Sequence, residues 1–328
     1  MRARVVVVSV VLLAVVAGGA FAVWRGVAPG SQAQVPSAAE SEPVEVSDPV
    51  AEPEPEPESE PAPEPEPTEA ELLADAPVVS ATSESGVSVT APEGFLATEA
   101  FARVDAEIAA IVGSGHTVGV VMRDLTTGRS ISYNADERLY PASSIKALYC
   151  AMVCETSGGS GGMADVMERC LVDSSNEDYE ALIGAYGMPA FGAWLGAHGA
   201  TDAAYDGSIW YYPEISTAEL AACWQEIYRF GTSDEAGGAE LAGYLARTNY
   251  TPAGALLRDE CEVWAKPGWF PDNGELVATN DTGVVFSESG PYVFAVMTDM
   301  SANLDGLTPL IDALDAAHHV MCGGGSPQ

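Results

Sequence analysis

The sequence predicts an α+β domain in which terminal helices cover an antiparallel sheet and an all-helical segment is inserted between the strands. The main observation is the order of predicted elements: a helix, a hairpin, an apolar helix, a helical region, three strands and a last helix. Grouped strands separated by grouped helices are typical of α+β folds. Residues 95–322, about 230 in number, are enough for one domain with a full core.

The first predicted elements precede residue 155. Residues 95–112 have apolar positions at helical spacing, and residues 117–125 and 130–134 form a hairpin around the turn at 126–129. Residues 140–154 begin with Pro141 and are apolar all round beyond Lys146. A helix without a polar face is usually buried in the centre of a domain.

The later elements complete the predicted fold. Residues 163–250 are rich in alanine and mostly helical in pattern, with interruptions at glycine and proline. Residues 262–265, 276–286 and 292–297 are three short strand-like runs, and residues 307–319 form an amphipathic helix.

The N-terminal residues 1–30 predict a membrane signal-anchor or a signal peptide. An apolar run from Val5 to Trp24 follows Arg2 and Arg4, and at about 1.5 Å per residue it just spans a bilayer. The arginines favour a cytoplasmic N-terminus. Ala20-Phe21-Ala22 offers a cleavage site, so secretion after cleavage is the alternative. Both interpretations place the folded domain outside the cytoplasm.

Residues 31–94 predict a disordered linker, and residues 323–328 a disordered tail. The linker contains no Lys or Arg and is dominated by Glu, Pro, Ser and Ala. Such a composition buries too little apolar surface to offset the entropy of ordering. Alternating Pro and Glu favours an extended spacer.

The net charge of −35 excludes one class of partner. Nucleic acid phosphates would be repelled by such an acidic surface, so we expect no nucleic acid partner. A solvated acidic surface is typical of a soluble monomer. The four histidines are scattered, and we expect neither a metal nor a cofactor. Six cysteines in an exported chain allow up to three disulfides, or they are buried thiols.

The small number of lysines and their surroundings indicate a catalytic role. The chain has two lysines, Lys146 and Lys266, and both lie in apolar surroundings. Lysines are rarely buried without a partner or a task. Ser143 and Lys146 are three residues apart at the start of the predicted buried helix, so the hydroxyl and the amine share one face. A desolvated lysine has a lowered pKa and can activate a serine nucleophile.

Two further segments supply polar groups. Ser174 and Asn176 can bring a hydroxyl and an amide to the same cleft, although this segment is also typical of a helix cap. Lys266 is followed by Pro267, Gly268 and Trp269. Gly268 permits close approach of a substrate backbone, and the N–H of Trp269 can complete an oxyanion hole with that of Ser143. The alternative for this segment is a plain turn.

In this order the three segments resemble the Ser-x-x-Lys, Ser-x-Asn and Lys-Thr-Gly motifs of class A β-lactamases and penicillin-binding proteins. The resemblance covers residues 95–320, and the interval from Ser143 to Ser174, short for a class A enzyme, implies a reduced helical subdomain. It implies a serine hydrolase in which Ser143 is acylated, Lys146 takes its proton and Ser174 protonates the leaving nitrogen. It also implies that Asn176 positions substrate and Lys146, and that Lys266 supplies positive potential. The implied substrate is a β-lactam, or a peptidoglycan-like amide or ester.

The chain departs from this family at three points. The Glu-x-x-x-Asn pattern that supplies the deacylating carboxylate is missing, with Asp206 and Glu214 as substitutes. Pro267 replaces the Thr or Ser of the third motif, and no Arg or Lys follows Lys266. We therefore expect slow release of the acyl group. The alternatives are a D-alanyl-D-alanine peptidase-like enzyme and a sensing domain that acylates without efficient turnover.

Aromatic residues near these motifs predict a cleft lining or core packing. They are Trp264, Trp269, Phe270 and the run 210–212.

Overall fold

The computed structural model describes residues 67–323. The expected membrane segment 1–30, most of the expected linker and residues 324–328 lie outside the described residues. Within residues 67–323, no helix combines the length and apolar character needed to cross a bilayer.

The strands form one large antiparallel sheet and one small ribbon. In chain order they are β1 Val78–Thr82, β2 Ser88–Pro92, β3 Val118–Asp124, β4 Ser130–Tyr133, β5 Arg138–Leu139, β6 Ile215–Ser216, β7 Val263–Ala265, β8 Gly268–Phe270, β9 Ala278–Ser287 and β10 Gly290–Thr298. The large sheet has the order β1-β2-β4-β3-β10-β9-β7, and β8 also pairs with β9. β5 and β6 pair separately.

The helices lie before, between and after the strands. They are α1 Glu69–Leu73, α2 Glu99–Gly113, α3 Ile145–Ser157, α4 Ala164–Leu171, α5 Asn176–Tyr186, α6 Met188–Ala197, α7 Ala204–Gly207, α8 Thr217–Gly231, α9 Gly238–Ala246, α10 Pro252–Leu257 and α11 Thr308–Cys322. Helices α3 to α10 all lie between β5 and β7 in the chain. The predicted α+β class, with an all-helical insertion between the strands, is confirmed.

Two hydrophobic cores lie on opposite faces of the sheet. In β10, Val293, Ala295 and Met297 face a core shared with α3 to α6, α8 and α9. The alternate residues Tyr292, Phe294 and Val296 face a second core shared with α2, α10 and α11. This alternation follows from the two-residue period of a strand, so the central strand is apolar throughout because both its faces are covered.

Helix α3 is the centre of the first core. All ten residues from Ile145 to Cys154 are buried, which confirms the helix predicted to lack a polar face. The helix ends at Gly158, whose φ of 68° is the left-handed conformation that glycine adopts readily. The residues that begin α3 are therefore held by packing on every side.

The expected linker boundary at residue 94 was wrong. Residues 69–92 form α1 and the hairpin of β1 and β2, and β2 pairs with β4 through Val89 and Ile131. The segment was assigned to the linker because its composition is polar and lacks basic residues. Its pairing with the sheet and the burial of Val87, Val89 and Ala91 supply the stabilisation that composition did not indicate.

The six cysteines are free thiols, five of them buried. The nearest pair described, Cys150 and Cys170, has its sulfurs 3.9 Å apart, which is well beyond a covalent bond. The sequence allowed either disulfides or buried thiols, and the structure shows thiols.

Removal of the hairpin tests its place in the domain. A chain starting at residue 95 should unfold at a temperature on the order of 10 °C lower than one starting at residue 67. Each buried valine contributes roughly 1.5–3 kcal/mol, and β4 would become an open edge. Thermal unfolding followed by circular dichroism measures this, and equal midpoints would contradict the assignment of 69–92 to the domain.

Candidate active site

Ser143 lies in a tight turn at the entrance to α3. Residues Ala142–Ser144 form a 3₁₀ turn that continues directly into the helix. Ala142 has a φ of 46°, a left-handed conformation that costs a non-glycine residue on the order of 1–3 kcal/mol. Ser143 is half-buried, whereas its neighbours Ala142 and Ser144 are buried. The turn therefore leaves Ser143 as the residue open to a cleft.

Lys146 lies one turn further along α3 and is fully buried. Its Nζ donates to the carbonyl oxygen of Ser174 at 2.6 Å and to Oδ1 of Asn176 at 2.7 Å. A neutral amine has two N–H groups and one lone pair, so these two acceptors can occupy both N–H groups. The lone pair then remains available to accept a proton from a neighbouring hydroxyl.

The electrostatic setting of Lys146 favours that neutral amine. Burial lowers the pKa of Lys146 from its usual 10.5 to about 8. The ring of Tyr179 lies 5.7 Å from Nζ and gives the cationic form partial compensation. A substantial fraction of Lys146 is therefore neutral near pH 8.

Ser174 and Asn176 both reach Lys146. Ser174 has a φ of 59°, so the chain turns sharply before α5 begins at Asn176. The helix cap expected as an alternative is made by Ser175, whose Oγ accepts from the N–H of Asp178 at 3.2 Å. Because Ser175 caps the helix, Ser174 and Asn176 are left to face the lysine.

Lys266 reaches the same serine from the other side. Its Nζ donates to Oγ of Ser174 at 2.8 Å, so Ser174 accepts from Lys146 through its carbonyl and from Lys266 through its hydroxyl. Lys266 is fully buried, and burial together with the nearby charge of Lys146 lowers its pKa from 10.5 to about 7. The accepted hydrogen bond leaves the hydroxyl proton of Ser174 free to be donated.

Gly268 brings β8 against the turn that carries Ser143. A Cβ at this position would lie 2.9 Å from the backbone nitrogen of Ser143 and 2.6 Å from that of Ser144, and it would also collide with the carbonyl oxygen of Pro141. Glycine is therefore required for steric reasons. The next residue, Trp269, pairs with Thr279 of β9 and exposes 43% of its surface.

The sequence did not assign Asn280 and Asp281 to the site, and it placed Tyr212 only in a cleft lining. Asn280 donates through Nδ2 to the carbonyls of Tyr140 and Pro141, both at 3.0 Å, and so fixes the turn before Ser143. Tyr212 donates to Oδ1 of Asn176 at 3.2 Å. Asp281 is buried, and burial raises the pKa of its carboxyl to about 7. These side chains come from distant segments, and no local pattern links them to Ser143.

The two carboxylates proposed as substitutes for a deacylating base have different surroundings. Asp206 pairs with Arg138, whose Nη2 lies 2.9 Å from Oδ2 of Asp206. Glu214 lines a pocket together with Tyr140 and Tyr212. Asp206 is therefore committed to an ion pair, and Glu214 is the carboxylate that borders the site.

Aromatic side chains line a pocket of about 520 Å³ beside the site. Tyr140, Trp210, Tyr211 and Tyr212 contribute to it, and Tyr140 packs against Tyr212 and Phe270. The predicted lining by the run 210–212 is confirmed. For Trp264 the core alternative is correct, since its ring is buried against Phe286.

Two groups of side chains in the described residues have spacings that fit a metal. Asp124, His318 and Cys322 are buried where β3 meets α11, and Glu155, His198 and Glu226 lie at the far end of α3. Nε2 of His318 already contacts Asp124 at 3.0 Å, and Glu226 is paired with Arg229. Three of the six side chains thus already have a partner in the protein, and none of the six contacts Lys146 or Ser174 through the hydrogen bonds described above.

A known family matches most of the folded part. The sequence profile of a family described as "Beta-lactamase enzyme family" matches residues 103–161 and 161–317. No curated protein sequence matches the chain significantly.

Solved structures resemble this fold at low sequence identity. A β-lactamase from Sphaerobacter thermophilus is 18% identical with a TM-score of 0.57, covering 70% of this chain and 99% of its own. A β-lactamase from Chitinophaga pinensis is 16% identical with a TM-score of 0.56, covering 67% and 100%. The reconstructed class A β-lactamase of the last common ancestor of Gram-negative bacteria is 22% identical with a TM-score of 0.56, covering 66% and 100%. At these identities the likeness is one of fold.

Gly268→Ala tests the contact between β8 and the serine turn. The methyl group should displace the turn and lower the rate at which a fluorophosphonate labels Ser143 at least about a hundredfold, as loss of an oxyanion contact does. Intact-protein mass spectrometry measures labelling. Gly184→Ala is the matched control, because a Cβ there, within α5, has no neighbour within 4 Å. Equal labelling of the two variants would contradict the proposed role of Gly268.

Proposed function

The chain belongs to the β-lactamase enzyme family, and from this premise we propose that it hydrolyses β-lactams slowly through an acyl-serine intermediate at Ser143. The observation that carries the proposal is the buried amine of Lys146, which has two acceptors for its N–H groups one turn after Ser143. A serine needs such a base because it is a weak nucleophile at its own pKa.

Acylation uses the three motifs together. Lys146 accepts the proton of Ser143 as its Oγ bonds to the carbonyl carbon of the lactam. The C–N bond then breaks, and the hydroxyl of Ser174, held by Lys266, delivers a proton to the departing nitrogen. The backbone N–H groups of Ser143 and Trp269 stabilise the oxyanion. Asn176 keeps Lys146 in place through the 2.7 Å hydrogen bond.

Deacylation is the slow half of the proposed reaction. Water must be activated to attack the acyl-serine, and Asp206 is held by Arg138 instead. Glu214 borders the site and is the candidate base. The pairing of Asp206 with Arg138 also favours a second function. In it the domain is a sensing domain or a D-alanyl-D-alanine peptidase-like protein that acylates without efficient turnover of β-lactams.

We place this domain outside the cytoplasm. The support is the N-terminal apolar run from Val5 to Trp24 behind Arg2 and Arg4. The acidic stretch that follows the run would hold the domain away from the bilayer as a spacer. In this arrangement the chain is a single-pass membrane protein, or a secreted one after cleavage, that acts as a monomer on a small molecule.

Acylation and its lifetime test the function directly. Incubation with benzylpenicillin should add one equivalent of the drug to the wild-type chain, at Ser143, and the adduct should persist for minutes or longer. Time-resolved intact-protein mass spectrometry measures both. Ser143→Ala should remain unmodified, since catalysis falls by several orders of magnitude on loss of the nucleophile. An adduct that persists in the alanine variant would refute Ser143 as the nucleophile.

The pH dependence of acylation tests Lys146 as the base. Because burial lowers the pKa of Lys146 to about 8, the neutral amine is lost as pH falls below that value. The acylation rate should therefore fall about tenfold per pH unit below 8 and level off above it. Quenched-flow mass spectrometry from pH 6 to pH 9.5 gives the profile. A rate that does not change over this range would exclude a base with this pKa.

A further inference from the structure

Most arginines of the described residues have partners within the protein. Of the chain's 13 basic residues, Arg2, Arg4 and Arg25 precede the described part, which leaves eight arginines and two lysines there. Five of these arginines pair with carboxylates: Arg103, Arg138, Arg169, Arg229 and Arg247.

The remaining three arginines have other positions. Arg129 donates to the carbonyl of Met321, and Arg258 donates to that of Thr248 at 2.7 Å; Nε of both and Nη2 of Arg258 are buried without a hydrogen-bond partner. Arg123 of β3 lies opposite Val293 of β10, which pairs with Val284 of β9, four residues beyond Asn280. Arg138 lies near the aromatic pocket, since it also donates to the carbonyl of Glu214 at 2.7 Å, but its charge is paired with Asp206. The lysines are therefore the cations in contact with Ser174.

Both lysines are fully buried and hydrogen-bonded to groups of the protein. Lys146 donates to the backbone of Ser174 and to Asn176, and Lys266 donates to the hydroxyl of Ser174. An ammonium has three N–H groups, so these contacts leave at least one on each lysine, but both side chains are buried around Ser174. A substrate carboxylate remote from the reacting carbonyl would have to enter this buried cluster to reach either lysine.

The two pockets that border the site carry negative charge. The aromatic pocket includes Glu214, and a second pocket of about 340 Å³ includes Trp269 and Asp305. Among the described residues, neither pocket is lined by a lysine or an arginine. An anionic group on either side of the scissile bond would therefore meet a carboxylate and no unpaired cation.

The aromatic pocket offers apolar surface instead. Trp210, Tyr211, Ile209 and Leu276 each expose more than a third of their surface there. The pocket adjoins the catalytic groups, because Tyr212 in its wall donates to Asn176 at 3.2 Å. An apolar acyl group attached to the reacting carbonyl would be removed from water by binding in this aromatic pocket.

We propose that the preferred substrate is an uncharged ester or amide whose acyl group is aromatic or aliphatic and occupies the pocket of Trp210. The proposal rests on acyl-serine chemistry at Ser143. In the ester case, Oγ of Ser143 bonds to the carbonyl carbon, the ester C–O bond breaks, and the alcohol leaves with the proton passed from Lys146 through Ser174. Water then cleaves the acyl-serine, which releases the carboxylic acid and restores the hydroxyl of Ser143.

The charge preference is tested with one matched pair of compounds, benzylpenicillin and its methyl ester. Acylation of Ser143 in the wild-type chain is followed by intact-protein mass spectrometry, and each rate is divided by that compound's rate with hydroxide. The methyl ester should react at least tenfold faster. Raising the salt concentration from about 50 mM to about 500 mM should increase the rate of acylation by benzylpenicillin and reduce the difference between the two rates, because salt screens the repulsion between carboxylates.

The outcomes separate this proposal from the function beneath it. If both compounds acylate Ser143 and the acid reacts as fast as the ester or faster, the proposed preference for an uncharged substrate is wrong. The proposed acyl-serine chemistry is then still supported. If neither compound acylates Ser143, the proposed function fails and this proposal fails with it.

The acyl pocket is tested with Trp210→Ala against Tyr205→Ala. Tyr205 belongs to the same segment, exposes 74% of its surface and does not line the pocket, so it is the matched control. The ratio of kcat/KM for p-nitrophenyl phenylacetate to that for p-nitrophenyl acetate should fall at least fivefold in Trp210→Ala and stay unchanged in Tyr205→Ala. An unchanged ratio in Trp210→Ala would overturn the assignment of the pocket to the acyl group.

Discussion

Two buried lysines that share one serine are the constraint on which the site depends. Lys146 donates to the carbonyl of Ser174 and Lys266 to its hydroxyl, and both ammonium groups are removed from water. Burying a charged amine is costly, so both pKa values fall and the neutral amine becomes available at mild pH. In the proposed mechanism, this one arrangement supplies both the base for Ser143 and the proton donor for the leaving group.

The fold supplies the burial that the lysines need. Lys146 lies on α3, which is enclosed by one core, and Lys266 follows β7 at the edge of the sheet. Ser174 lies in the segment that joins α4 to α5, and its left-handed backbone conformation turns the chain there. Asn280 of β9 ties the serine turn to the sheet, and Gly268 allows β8 to approach it. Loosening any of these contacts would admit water and restore ordinary lysine pKa values.

The sequence revealed the parts of this arrangement that have local signals. The uniformly apolar run after Lys146 predicted a buried helix, and the scarcity of lysine marked both cations. The hairpin of β1 and β2 was missed because four of the five residues of β1 are exposed and its stability comes from pairing with distant strands. Asn280 was missed as a site residue because it meets Tyr140 and Pro141, in the turn before Ser143, only through tertiary contacts. The partners of the arginines likewise required the structure.

The central claim is tested most directly by titrating the lysines themselves. Because the chain has two lysines, selective ¹³Cε-lysine labelling should give two side-chain NMR signals, and Lys146→Met would assign them. We expect pKa values of about 8 for Lys146 and about 7 for Lys266, both lowered by burial. The value for Lys266 should rise in Lys146→Met, because the charge of Lys146 contributes to lowering it. Titration of both lysines near 10.5 would contradict the account.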